Sequence, residues 1–190
     1  MDNKIFTATN LLALAIVFSF ILQVAIPDYS KMLWLSDDQI TTEPYRIFTK
    51  LFLHINLLHL FLNVYALIIF GNLLESKIGK KHLLWLFFIG SMAGVFSHLI
   101  AASLGVEEFT IVIGSSDAVS LMLGACAFLM ANVDVKIFFI KMKVRTALTL
   151  FLIYEALDIL NIFALQDNAV HSAHIGPIIF GYLYAKFLIK

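Results

Sequence analysis

The sequence predicts an all-α membrane protein built as a bundle of six transmembrane helices, and three observations carry that prediction. Hydrophobic residues make up 61% of the 190 and charged residues only 14%, with a mean hydropathy of +0.93. A soluble domain of this size needs a far larger polar fraction to cover its surface. The apolar residues are gathered into six runs, and a helix needs roughly 20 such residues to cross the hydrocarbon layer. Basic residues, finally, fall almost entirely on one side of those runs, as a membrane topology requires.

The runs lie near Thr7–Ile26, Leu57–Leu74, Leu83–Leu104, Ser116–Ala131, Ala147–Leu165 and His171–Leu188. No small-residue cleavage site follows the first, so it reads as a retained span and not as a signal peptide. The fourth is short, which suits a helix that starts below the membrane surface, with irregular backbone above it lining a cavity. With a cytoplasmic N-terminus, the cytoplasmic stretches hold Lys4, Lys77, Lys80, Lys81, Lys136, Lys141, Lys143, Arg145, Lys186 and Lys190. Of the 13 basic residues, only Lys31, Arg46 and Lys50 then fall outside. Asp28, Asp37, Asp38, Glu43, Glu107, Glu108 and Asp167 sit on the outer side. Both termini are therefore expected in the cytoplasm, and the expected location is the plasma membrane of a prokaryote.

The longest connection, Pro27 to about Asn56, mixes charge with Met32, Leu33, Trp34, Leu35, Tyr45, Ile47, Phe48, Leu51 and Phe52. That amphiphilic content predicts a first outer loop partly embedded in the membrane interface. Residues 1–190 read as a single membrane domain, without the inverted repeat that points to a transporter. The net charge is zero, which leaves no basic field for nucleic acid. Cys126, the single cysteine, lies in an apolar run and reads as a small core residue.

Polar groups inside a span are costly and face protein or water, so each is a functional candidate. The second run carries His59 and Asn63, four residues apart and so stacked on one helical face, with His54 just before it. The fourth opens with Gly114-Ser115-Ser116-Asp117-Ala118. The sixth opens with His171-Ser172-Ala173-His174-Ile175-Gly176, followed by Pro177 and Gly181. The fifth carries Glu155, Asp158 and Asn161 at helical spacing.

Acyl transfer unites the first three of these sets. A serine hydroxyl is a poor nucleophile until a base takes its proton, and histidine titrates near neutrality. The oxyanion that follows needs preorganised donors, which His and Asn side chains and a backbone N–H supply. Gly114 ahead of the serine permits a close backbone approach. Ser116, His174, His59 and Asn63 make a complete set. Taken singly, each has an ordinary structural explanation: a serine at a helix start is usually an N-cap, and polar residues on membrane helices are usually inter-helix glue. His98, outside any motif, reads as structural.

In their order along the chain these residues resemble the rhomboid family of intramembrane serine proteases. Gly114-Ser115-Ser116-Asp117-Ala118 looks like its GxSx serine motif, and Ala173-His174-Ile175-Gly176 with Gly181 looks like its AHxxGxxxG motif. His59-Leu60-Phe61-Leu62-Asn63 resembles its HxxxN, with His54 where another histidine is often found. Glu43-Pro44-Tyr45-Arg46 resembles the tryptophan-arginine element of the first loop, with Tyr45 for the tryptophan, and Glu75 and Gly79 fit the turn after the second helix. The resemblance implies a peptidase acting on transmembrane protein substrates within lipid, with no cofactor and no metal. Ser116 would be the nucleophile, His174 the base, and His59, Asn63 and the Ser116 amide, presented after Gly114, the oxyanion donors; His54 and Asp117 are possible supporting residues. It implies further that no third acidic residue orients the base. A water-filled cavity would open outward, under a lid at Gln166–Val170 that ends near a solvent-facing His171, with lateral access past the second and fifth helices.

Three residues depart from the family pattern. Pro177 stands where a glycine is favoured for close packing of the sixth helix on the fourth, and a proline there predicts a kink below His174. Asp117 replaces a small residue after the serine; adjacent helical residues point about 100° apart, so it reads as a local hydrogen-bonding or substrate-contacting group. Ser120 stands where many members carry a tyrosine that supports the histidine. Two rival functions accompany the protease reading: an inactive rhomboid-like protein that binds membrane clients, and a small transporter using the carboxylates Glu155 and Asp158 at membrane depth, against which stands the lack of a basic partner for them inside the spans.

Overall fold

A chain surrounded by lipid has to satisfy its backbone N–H and C=O groups internally, which a helix does within a single segment. The computed structural model describes residues 7–106, 111–159 and 172–189 and is mostly helical. Its helices are α1 (Ala8–Ala25), α2 (Tyr29–Leu33), α3 (Gln39–Thr42), α4 (Arg46–Thr49), α5 (Leu57–Ala66), α6 (Asn72–Ser103), α7 (Ser116–Leu129), α8 (Val144–Ile159) and α9 (Ser172–Leu188). A 3-10 turn at Lys50–Phe52 follows α4, and a π-helical turn at Leu67–Gly71 joins α5 to α6.

Among the described residues, helical segments lie within each of the six predicted runs. Among the described residues, two helical stretches are long and apolar enough to cross a membrane, Ala8–Ala25 and Leu57–Ser103, and Ser116–Leu129 is a shorter apolar helix. The 47-residue stretch is not one rod. Gly79 inside it has φ 78 and ψ 166, a conformation open to glycine and strained for any other residue. The chain turns there, between the second and third predicted runs.

Among the described residues, the departure from an all-helical chain is a hairpin of β1 (Asp134–Ile137) and β2 (Ile140–Lys143), in the register Val135↔Met142 and Lys136↔Lys141. Strands of four residues carry too little alternation to announce themselves beside helix-length runs. Val135 is buried, and the Phe138 ring at the turn stacks on Tyr65 of α5, with centroids 4.9 Å apart.

Two polar clusters tie the outer elements down. Thr7 caps α1 by accepting from the Asn10 amide, and buried Glu75 of α6 accepts from the Ala8 and Thr9 amides, each at 2.9 Å. A carboxylate on the free amides of a helix start satisfies the hydrogen bonds and the dipole together. In the outer loop, buried Arg46 donates to the Lys31 and Trp34 carbonyls at 2.9 and 3.1 Å and pairs with Glu43 at 2.9 Å. The loop is thereby folded onto α2, and an isolated bridge pairs Leu35 with Val112.

α7 is the central helix, with every residue from Asp117 to Ala127 buried. It meets α9 at two glycines. A Cβ at Gly124 would collide with the Ile178 carbonyl, and one at Gly181 with the Leu121 carbonyl. Small residues let membrane helices approach to backbone contact, and this contact sets how far the start of α7 lies from the start of α9. α9 continues through Pro177. The proline therefore removes one hydrogen bond from the first turns without ending the helix, and Gly124 and Gly181 supply the close approach expected of a glycine at 177. Gly124→Val should force the two helices apart and lower stability by about 1–3 kcal/mol or more, read as a fall in the thermal unfolding midpoint in detergent.

Candidate active site

Ser116 is the first residue of α7 and stands half-buried at its end. Gly114, two residues earlier, has φ 114, and a Cβ there would lie 2.8 Å from Cε1 of His59. Only glycine meets both demands. His174, buried in the first turns of α9, brings Nε2 to 2.8 Å from Ser116 Oγ. The two groups are 58 residues apart in sequence, and the distance is that of a well-formed hydrogen bond.

The other ring nitrogen also has a partner. Nδ1 of His174 lies 3.1 Å from Oε1 of Glu155, a fully buried residue of α8. Phe151, one turn earlier on the same helix, sets its ring 6.0 Å from the imidazole, centroid to centroid. Two expectations are thereby corrected. An acidic residue does contact the base, and Glu155 does have a basic partner inside the bundle. A clue was present in the sequence: a carboxylate in an apolar helix is too costly to leave unpaired. What periodicity alone does not reveal is which imidazole pairs with it.

A cavity of about 540 Å³ opens at these groups, lined by Ser116, His174, Glu155, Gly114, His59 and Asn63 among others. The four residues of the predicted set therefore share one hollow. Asn63 donates to the His59 carbonyl at 2.9 Å and accepts from Ser115 Oγ at 3.3 Å, which fixes its amide and leaves a second N–H on the same nitrogen. His54 is not at the cavity wall. It lies fully buried behind Ser115, with Nε2 3.4 Å from that hydroxyl, while its backbone N–H and carbonyl clasp the Gln23 amide. Burial, with His59 and Lys50 nearby, pushes the His54 pKa down to about 3, so the ring is neutral there. Ser115, which carried no role in the sequence reading, is the hinge of this inner layer.

Asp117 does not approach His174 in the described contacts. Its carboxylate pairs with the Lys50 ammonium and accepts from the Ala118 amide at 2.8 Å, with both charged residues almost fully buried. Lys50 also accepts the Gly114 N–H on its own carbonyl at 2.9 Å. One residue of the outer loop thus holds the chain on both sides of Ser116. The topology count placed Lys50 among the outer charges; it is a buried strut. Asn161, His171 and the lid at Gln166–Val170 lie outside the described residues, as do Lys4, Glu107, Glu108, Asp167, Lys190 and the Asp158 side chain.

The family model of the Rhomboid domain matches residues 41–190. The chain belongs to the rhomboid family. No curated protein matches it. Rhomboids are membrane-integral, and the family is one of intramembrane serine proteases acting on transmembrane substrates. The match takes in every element from α4 to α9, and α1 and α2 precede it. In this rhomboid Ser120 stands where the resemblance leads us to expect a supporting tyrosine, and among the described residues Phe151 of α8 is an aromatic neighbour of the histidine.

Removing one partner of a buried ion pair strands the other charge, at a cost of about 3–5 kcal/mol, whereas removing both is far milder. Lys50→Met should therefore lower the unfolding midpoint sharply, and the double variant Lys50→Met with Asp117→Ala should recover most of the loss. Additive losses in the double variant would count against a coupled pair.

Proposed function

We propose that this rhomboid is an intramembrane serine endopeptidase that hydrolyses peptide bonds in or near transmembrane segments of other membrane proteins. The observation that carries the reading is the 2.8 Å separation of Ser116 Oγ and His174 Nε2 inside a polar-lined cavity. Six membrane-crossing segments with both termini in the cytoplasm complete the proposal, supported by the basic residues that gather on one side of the runs.

The reaction follows from the atoms. Ser116 Oγ attacks the scissile carbonyl carbon as its proton passes to Nε2 of His174, and the carbonyl oxygen becomes an oxyanion. The donors assigned to it are the Ser116 amide, His59 and the second N–H of Asn63. When the tetrahedral centre collapses, the C–N bond breaks and the proton on Nε2 goes to the leaving amine. Water then attacks the acyl-enzyme, giving its proton to the same nitrogen, and the proton returns to Ser116 as the acid leaves.

Two contacts favour this reading over its rivals. A client-binding protein without activity was favoured by Pro177, yet α9 runs through it and the hydroxyl and imidazole are within hydrogen-bond distance. A transporter was suggested by carboxylates at membrane depth, and of these Glu155 lies against His174 beside Ser116, as a partner of the dyad would.

Ser116→Ala and His174→Ala should each abolish cleavage of a single-span test substrate in detergent while the protein still inserts. A fluorophosphonate probe should label the wild type and spare Ser116→Ala. Cleavage that persists in Ser116→Ala would overturn the assignment. Asn63→Ala should lower kcat by about 10²–10³-fold, the usual loss for one oxyanion donor.

A further inference from the structure

We propose that Glu155 is a positioning residue for the base, so that this protein works through a serine–histidine–glutamate relay instead of a serine–histidine pair; the inference rests on the protease reading above. Its starting point is the contact of Glu155 Oε1 with His174 Nδ1 at 3.1 Å, on the far side of the ring from Ser116.

A neutral imidazole carries its single proton on one nitrogen or the other, and only the form protonated at Nδ1 leaves Nε2 free to accept from serine. An ionised carboxylate accepts and cannot donate. Placed at Nδ1, it selects the productive tautomer and fixes the plane of the ring. When Nε2 takes the serine proton the ring becomes cationic, and a buried negative charge beside it stabilises the ion pair as it forms. This is electrostatic support available in the transition state, where it raises the rate and not merely the binding.

The surroundings fit that role. Glu155 is fully buried, so the low-dielectric interior gives its charge more effect on the ring than an exposed carboxylate would have. Phe151 and Glu155 are four residues apart and share a face of α8, one bounding the imidazole by its ring and the other by its carboxylate. Asp117, the other acid near the serine, is occupied by Lys50. α8 therefore supplies the orientation of a base that α9 carries.

The test uses the full-length protein in detergent with Glu155→Gln and Glu155→Asp variants. Four quantities are read: kcat and KM on the single-span substrate, the rate of fluorophosphonate labelling, and the unfolding midpoint. Glu155→Gln keeps the shape and removes the charge, so kcat and labelling should fall by about 10²–10⁴-fold with KM nearly unchanged. Glu155→Asp, which keeps the charge on a shorter arm, should recover part of the loss. Wild-type kcat and labelling in Glu155→Gln would overturn the relay while leaving the protease reading intact.

A second measurement needs no active enzyme and no folded variant at position 155. Nitrogen-15 NMR of histidine-labelled wild type, with the His174 signals assigned by their loss in His174→Ala, should report the proton on Nδ1. A proton on Nε2 would overturn the relay. If the wild type neither cleaves nor labels, the protease reading falls on that result, and the NMR still decides what Glu155 does to the ring.

Discussion

A polar group carried into an apolar bundle has to find its partner within the protein, because the lipid offers none. That constraint organises the centre of this molecule. The start of α7 brings a serine, a second serine and an aspartate into the interior, and each is met by a group from another element. Ser116 is met by His174, Ser115 by Asn63 and His54, and Asp117 by Lys50. The helices are arranged so that these meetings occur, and the glycine contacts between α7 and α9 set the distance at which the first of them does.

The same requirement explains why the outer loop is part of the site and not a cover over it. Lys50 enters from that loop and holds Gly114 by its carbonyl and Asp117 by its ammonium. Arg46, four residues earlier, pins the loop to the carbonyls at the end of α2. A buried charge pair contributes little net stability by itself, since desolvation offsets attraction. Its contribution here is geometric: the serine sits on a segment gripped from both sides, and a nucleophile has to be held to well under an ångström to react.

Glu155 belongs to the same pattern. Its carboxylate is deep in the bundle and meets Nδ1 of the His174 ring, across from Ser116. α7, α8 and α9 then each contribute one polar side chain to a chain of hydrogen bonds, and all three line the cavity of about 540 Å³. Rigid helices, not loops, carry all three groups, so their spacing is a property of helix packing.

How much of this was readable in one dimension follows from the range of each interaction. Apolar runs are local properties, and helices lie within them wherever the residues are described. The order of Ser116, His174, His59 and Asn63 along the chain pointed to a candidate chemistry, since few reactions need that set, and the four residues do line one cavity. The hairpin escaped because its strands are four residues long. Lys50 was counted as an outer charge, and Glu155 as a carboxylate without a partner, for a common reason: an ion pair is a relation between distant residues, and nothing local in either partner names the other. By itself the sequence determined that the chain enters a membrane, that its spans are helical, and that a serine and a histidine are the candidates for its chemistry. Tertiary packing alone decided that the two lie within hydrogen-bond distance and that an acid stands behind the imidazole, because burial and distance arise only when helices far apart in the chain close on one another.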